Sequence, residues 1–205
     1  TALAIELNAI GWEVIIFTDA RGLQYLDKSS NEYSIEVLKI SSETASLRKK
    51  ILELSYQLTL AALRSGKLMF RKKPKFVLGF GGVSTFPILL MSVLLRIPTF
   101  IQEQNAVLGR VNRFFQRFSA KVFCHFSNTL FLDPKIGLNT GNPVRNKVLK
   151  KLNSQYLGPG PWPTTVLVLG GSQGARILSD ALPNSIETLS KKTKERLTIF
   201  HQARK

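Results

Sequence analysis

The sequence predicts a doubly wound α/β protein, on three observations. Short apolar strands alternate with helical stretches of about 10–15 residues. Glycine-bearing turns follow strand after strand. A Pro/Gly-rich stretch interrupts the pattern late in the chain, after which it restarts. With 205 residues there is room for one full domain and part of another. The expectation is a fragment of a soluble two-domain protein, carrying most of the first domain and the opening strand, loop and helix of the second.

The run Thr1-Ala-Leu-Ala-Ile-Glu-Leu-Asn-Ala-Ile10 reads as the later turns of a helix, closed by Gly11. Residues 12–18 then read as a strand, and 34–40 alternate as a second strand, placed at an edge. From 44 to 71 apolar residues recur at helical spacing, notably Leu47, Ile51, Leu54, Leu58 and Ala62, with Gly66 as a potential break. Residues 76–80 form a short apolar strand, followed at once by Gly81 and Gly82. A helix through Leu95 leads to a strand at 99–102, and a helix near 109–120 leads to another at 121–126. A further strand is placed near 136–138, before Thr140-Gly-Asn-Pro-Val-Arg145.

Leu157-Gly-Pro-Gly-Pro-Trp-Pro163 suppresses regular structure and favours a boundary. The domain reading is 1–148, a linker at 149–163, and the start of a second domain at 164–205. In the last, a strand at 165–169, the turn Gly170-Gly-Ser-Gln-Gly174, a helix at 175–189 and a strand at 197–200 are too few to bury a parallel-sheet core.

Lys and Arg outnumber Asp and Glu by 29 to 13, a formal charge of +16. That favours an anionic partner: nucleic acid, a phosphorylated ligand or an anionic bilayer. A nucleic-acid-binding module would need a coherent basic track or exposed stacking aromatics, and no named motif of that kind is present. The single cysteine, Cys124, excludes an internal disulfide and reads as a buried strand residue in a reducing compartment. His125 reads as structural, and one Cys with two separated His gives no metal cluster of recognisable spacing. The longest apolar stretch, beginning at Phe86, is ended by Arg96 and Pro98, well short of the roughly 20 residues that span a bilayer. It is expected to be a buried helix.

In a doubly wound fold, ligands bind beyond the carboxyl ends of the strands. That rule selects loops 79–85, 102–109, 140–145 and 170–176. The last, Gly170-Gly-Ser-Gln-Gly-Ala-Arg176, joins a strand to a helix, so free helix N–H groups and the Ser172 hydroxyl suit a phosphate or diphosphate; an ordinary tight turn is the alternative. It is neither a P-loop nor a GxGxxG fingerprint. Gly81 and Gly82 let a ligand rest against backbone, or merely solve the turn. In Gln102-Glu-Gln-Asn105, Asn105 can exchange hydrogen bonds with a sugar, while Glu103 either orients an attacking hydroxyl or holds the loop. Arg145 offers a bidentate partner to a carboxylate or phosphate, or is a surface arginine.

Two basic stripes remain. Arg110, Arg113, Arg117 and Lys121 interleave with Phe114, Phe115 and Phe118, and the long helix carries Arg48-Lys-Lys50, Arg64, Lys67 and Arg71-Lys-Lys73. Either face could rest on anionic lipid, or be an ordinary helix with charges outward.

Together, Gly79-Phe-Gly-Gly82, Glu103-Gln-Asn105, Gly141-Asn-Pro-Val-Arg145 and Gly170-Gly-Ser-Gln-Gly-Ala-Arg176, in order and spacing, resemble the peptidoglycan glycosyltransferases that convert lipid I into lipid II. The resemblance implies two Rossmann-like domains of GT-B type, with an N-terminal domain that binds the lipid acceptor and docks on a membrane. It also implies inverting transfer of N-acetylglucosamine from UDP-N-acetylglucosamine to the C4 hydroxyl of undecaprenyl-pyrophosphoryl-N-acetylmuramyl-pentapeptide, with no catalytic metal and no cofactor.

By resemblance, Asn105, Arg145 and Ser172 bind substrate; Gly171, Ser172, Gln173 and Gly174 form the phosphate loop; and Gly81, Gly82, Gln102, Glu103 and Gln104 form the acceptor-side loops. The catalytic base falls upstream of Thr1, with Glu103 a secondary candidate. The implied partners are UDP-N-acetylglucosamine, lipid I, the anionic inner-leaflet surface at the cytoplasmic face of a bacterial inner membrane, and other cell-wall synthesis proteins, without a specific nucleic acid. Gln102 replaces the family's usual His, Val83 a common Tyr, and Ala203 a small polar residue or Gly. The first strand with its Gly-rich loop, and most of the second domain, are expected to lie outside this chain, which by itself is expected to be inactive. Another GT-B nucleotide-sugar transferase and a basic nucleic-acid-binding α/β module are the alternatives.

Overall fold

The computed structural model describes residues 1–40, 47–154, 164–170 and 175–203. The chain divides into two compact units, Thr1–Lys150 and Lys151–Lys205.

In the first unit, α1 (Ala2–Ala9) leads to β1 (Ile15–Thr18) and, after the short α2 (Ala20–Leu23), to β2 (Ser34–Val37). The two strands pair in parallel, Ile15 opposite Ser34 and Thr18 opposite Val37. The long α3 (Leu47–Lys72) crosses to β3 (Val77–Gly79). A 3₁₀ turn, Val83–Thr85, opens α4 (Phe86–Leu94), and β4 (Thr99–Glu103), α5 (Arg110–Phe115), β5 (Lys121–Cys124) and β6 (Gly137–Asn139) follow. These last four strands make one parallel sheet in the order β3-β4-β5-β6. α6 (Asn146–Leu149) closes the unit.

Parallel strands covered by helices are buried on both faces, and β4 is the most buried here: Ile101 enters the apolar core, while Thr99, Gln102 and Glu103 are polar yet also buried, so each needs hydrogen-bond partners. Leu89, Ile101, Leu108, Phe115 and Val122 form one core cluster under the four-stranded sheet. A second cluster joins Leu38 and Ile40 beyond β2 to Ala61 and Met69 of α3 and Ile88 of α4. Full burial of such a side chain is worth roughly 1.5–3 kcal/mol, so these clusters fix which strand ends share an edge.

Gly66 does not break the long helix. α3 runs through it because a side chain there would collide with α4: a Cβ would lie 2.5 Å from Met91 Cε. Close helix–helix approach overrides the weak helix propensity of glycine. His125, expected inside a strand, follows the end of β5 and is exposed, its ring packed edge-on against Phe126. The helix expected over 109–120 ends at Phe115 and tightens into a 3₁₀ turn, Gln116–Phe118. Cys124 is buried. Among the described residues, no helix is long and apolar enough to cross a membrane.

In the second unit, β7 (Thr164–Val168) pairs in parallel with β8 (Leu197–His201), and α7 (Arg176–Glu187) and the short α8 (Lys191–Lys194) connect them. Most of the expected linker, residues 155–163, lies outside the described residues.

Candidate functional site: loops at one edge of the four-stranded sheet

Because β3, β4, β5 and β6 all run in parallel, their carboxyl ends and the loops that follow share one edge. Beyond β4, the chain is organised around a carboxylate. Glu103 is 2% exposed, and both of its oxygens are committed. Oε1 accepts from Asn105 N–H at 3.0 Å and from Asn105 Nδ2 at 2.8 Å. Oε2 accepts from Gly109 N–H and Asn112 Nδ2, each at 2.9 Å. Burial pushes this carboxyl up, but the bonds from Gly109, Asn112 and Asn105 outweigh it and hold it below its ordinary value. Glu103 is therefore ionised near neutral pH, saturated with donors and a poor proton acceptor.

These bonds also orient Asn105. Its side-chain NH₂ group is committed to Glu103, which leaves Oδ1 as the atom that can accept from a ligand hydroxyl or amide. Asn105 is an exposed residue. Gln104, beside it, is partly buried.

The turn after β3 meets the same network from the other side. Gly81 adopts φ +80°, and a Cβ on it would lie 3.0 Å from Asn112 Nδ2. Left-handed backbone and close approach both call for glycine here. Gly82 is also left-handed, at φ +85°, and its surroundings are open. The Gly81 carbonyl accepts from Thr85 Oγ1, tying the turn to the start of α4. Asn112 is 1% exposed, and its Oδ1 has no hydrogen-bond partner among the described residues.

Sequence reasoning missed Asn112. It lies four residues after buried Leu108 and three before buried Phe115, on the core-facing side of α5. A polar amide at that helical spacing was the available signal.

The loop after β6 is fastened at two points. Gln102, 3% exposed, donates from Nε2 to Gly141 O at 3.1 Å and to Asn142 Oδ1 at 3.3 Å. Asn146 Nδ2 donates to Glu6 Oε1 of α1 at 3.0 Å. Between these ties, Pro143 stiffens the backbone, and Arg145, exposed, occupies the position just before α6 without a side-chain capping bond. Arg145 also lines a cavity of about 420 Å³ with the first turns of α1, Tyr25 and Tyr33. No described salt bridge neutralises it.

The structure thus brings Gln102 and Glu103, at the carboxyl end of β4, to the same sheet edge as the segments after β3, β4 and β6 that carry Gly81, Gly82, Gln104, Asn105 and Arg145. Gly171, Ser172, Gln173 and Gly174 lie outside the described residues. Among the described residues, no group of three His, Cys, Asp or Glu side chains could hold a metal ion.

The basic stripes divide. Along α5 and the 3₁₀ turn after it, Phe115 enters the core while Phe114 and Phe118 stay about half exposed, with the Arg117 guanidinium 5.4 and 5.9 Å from their ring centroids. Arg113 lies 3.8 Å over the Phe131 ring. On α3, Leu52, Tyr56, Leu63 and Phe70 are exposed among the basic residues. The side chains of Arg48, Lys49 and Lys50 lie outside the description.

The profile of the glycosyltransferase family 28 N-terminal domain matches residues 1–124. The chain is 36% identical over 209 aligned residues to the UDP-N-acetylglucosamine-N-acetylmuramyl-(pentapeptide) pyrophosphoryl-undecaprenol N-acetylglucosamine transferase of Rhodopseudomonas palustris strain BisA53. It is 38% identical to the protein of the same name from Caulobacter vibrioides strain NA1000 / CB15N. These alignments cover 99% of this chain but 55% and 56% of the relatives, so the chain spans about half the length of the curated relatives it matches. Among solved structures, MurG from Acinetobacter baumannii superposes with a TM-score of 0.66 at 27% identity, over 98% of this chain and 55% of that one. The α/β arrangement is the Rossmann-like, GT-B type of that structure. A UDP-GlcNAc 2-epimerase from Neisseria meningitidis shares the fold, with a TM-score of 0.53 at 14% identity, over 100% of this chain and 69% of that one. By the match over residues 1–124, the chain belongs to glycosyltransferase family 28.

Proposed function

We propose that this chain is part of an inverting transferase that moves N-acetylglucosamine from UDP-N-acetylglucosamine to the C4 hydroxyl of lipid I, forming lipid II. The carrying observation is the Glu103-centred loop, which holds the exposed Asn105 at the strand edge shared with the Arg145 loop. The names of the relatives agree with this reading.

In this mechanism Asn105 accepts from a sugar hydroxyl or the acetamido N–H. Arg145 places a positive charge close to where phosphate charge develops, and Ser172, with Gly171, Gln173 and Gly174, supplies diphosphate donors. Glu103 shapes the loop and does not take the acceptor proton, because its lone pairs are occupied and its carboxyl is held below the ordinary range. The Gly81-Gly82 turn gives the acceptor a close approach to backbone. The domain organisation proposed is an acceptor domain at 1–148, a linker at 149–163 and the start of the donor domain at 164–205.

The unit also rests on an anionic inner leaflet in this reading, through the exposed apolar and basic face of α3, where each Lys or Arg near the surface contributes about 1 kcal/mol. Docking would be peripheral, at the cytoplasmic face.

A chimera tests the transfer. Residues 1–205 of this chain replace the matching residues of the Caulobacter protein, and radiolabelled sugar is followed from UDP-N-acetylglucosamine to lipid I and to unrelated acceptors. Lipid II should form, and Asn105→Ala, Arg145→Ala and Ser172→Ala should each lower its rate by about tenfold or more. Three fully active variants would remove the proposed site, and transfer to another acceptor alone would replace lipid I.

A further inference from the structure

We infer that Gln102 is a positioning residue: its buried side-chain amide clamps the loop carrying Arg145 onto the loop carrying Asn105, through a group that does not titrate. The inference rests on reading these two loops as parts of one transferase site.

Gln102 is the penultimate residue of β4, yet its bonds reach past the end of β5 to the turn after β6, 39 and 40 residues away in sequence. Backbone bonds fix what lies between: Thr140 and Gly141 N–H both donate to Cys124 O, and His125 N–H donates to Glu103 O. Beyond these backbone bonds, the turn has open space on one side. Gly141 is left-handed at φ +76°, and nothing lies within 4 Å of where its Cβ would be. The amide of Gln102 therefore supplies a contact that the turn's own packing does not. Asn146, just beyond Arg145, is tied to Glu6. The arginine is thus carried on a short span anchored at both ends, with its side chain exposed.

The chemistry of the clamp is specific. Gly141 O is a backbone acceptor and cannot reverse its polarity, whereas the Asn142 amide can flip. The residue at 102 must therefore donate. Gln102→Glu keeps the shape but sets a carboxylate oxygen against Gly141 O. Gln102→His restores a ring N–H donor. Titratable Glu103 is the adjacent residue, but its carboxyl points into the loop formed by Asn105, Gly109 and Asn112. The clamp itself contacts only Gly141 and Asn142 among the described bonds.

Amide hydrogen exchange on the 205-residue chain at neutral pH tests this. Gln102→Glu should accelerate exchange across 140–146 by about tenfold while amides of 79–85 keep their protection, and Gln102→His should recover most of the loss. Unchanged exchange in Gln102→Glu would overturn the clamp. So would loosening spread evenly over β4, β5 and β6, which marks a merely structural residue, or loss in both variants alike. Should the chimera make no lipid II while this exchange pattern holds, the transferase reading fails and the clamp stands. If the chimera is active and Gln102→Glu leaves its rate and KM unchanged, the positioning role fails alone.

Discussion

Replacing Glu103 with Gln tests the buried carboxylate that organises the site. The substitution keeps shape and volume but turns one of two acceptor oxygens into an NH₂ group. Four donors face that carboxylate: the N–H groups of Asn105 and Gly109 and the side-chain amides of Asn105 and Asn112. Either amide can flip to meet the new NH₂, but neither backbone N–H can reverse, so one part-buried donor facing the buried side chain is left without its partner. An orphaned buried donor costs about 1–3 kcal/mol, and the remaining bonds lose the extra strength of a charged acceptor. The sum is about 3 kcal/mol, which for a domain of this size lowers Tm by roughly 6–12 °C near neutral pH.

The pH dependence carries a sign. The folded-state carboxyl of Glu103 lies below its ordinary value of 4.5, so its contribution is complete above that value and is lost as pH falls through the depressed one. Thermal melts of the two proteins should therefore differ most near neutrality and converge in acid, when the wild-type carboxyl protonates. Identical Tm values near neutral pH, or a gap that stays constant through the acid range, would refute the network as described.

Three further outcomes follow from particular contacts. Gly81→Ala should destabilise by about 1–3 kcal/mol, since it combines a left-handed backbone with a Cβ 3.0 Å from Asn112; a denaturant midpoint equal to wild type would contradict this. Gly66→Ala should change stability by less than about 1 kcal/mol, because only the mobile end of Met91 must move, whereas Gly66→Leu should cost more than about 2 kcal/mol by separating α3 from α4. Chemical denaturation of both variants checks the contrast. Binding to anionic vesicles should weaken as salt rises and fall further when Leu63 and Phe70 are both changed to Ser; equal binding to neutral vesicles, or to nucleic acid with the same salt slope, would count against a membrane face.

The alternation of strands and helices was legible because a parallel sheet covered by helices demands continuous apolar strands. The loops were legible because ligand-facing edges in such folds follow strand carboxyl ends. Gly66 misled because local propensity suggests a break, whereas α3 packs there against Met91 of α4 and leaves room for only a small residue. The Glu103 network was half visible: its partners at 105, 109 and 112 lie within ten residues, but the burial that makes it decisive depends on β5 and α5 packing around it. The tie from Gln102 to Gly141 joins elements 39 residues apart and leaves no local signature. The motif resemblance marked Gln102 only as a departure from the expected His. Its two bonds show instead what the position contributes.

The most direct test is to titrate the isotopically labelled chain with a soluble lipid I analogue and follow its amide resonances. Saturable shifts are expected on Gly81, Gly82, Gln102, Glu103 and Gln104, the acceptor-side residues at the shared strand edge. Shifts confined to the opposite ends of those strands, or none at saturating ligand, would contradict it.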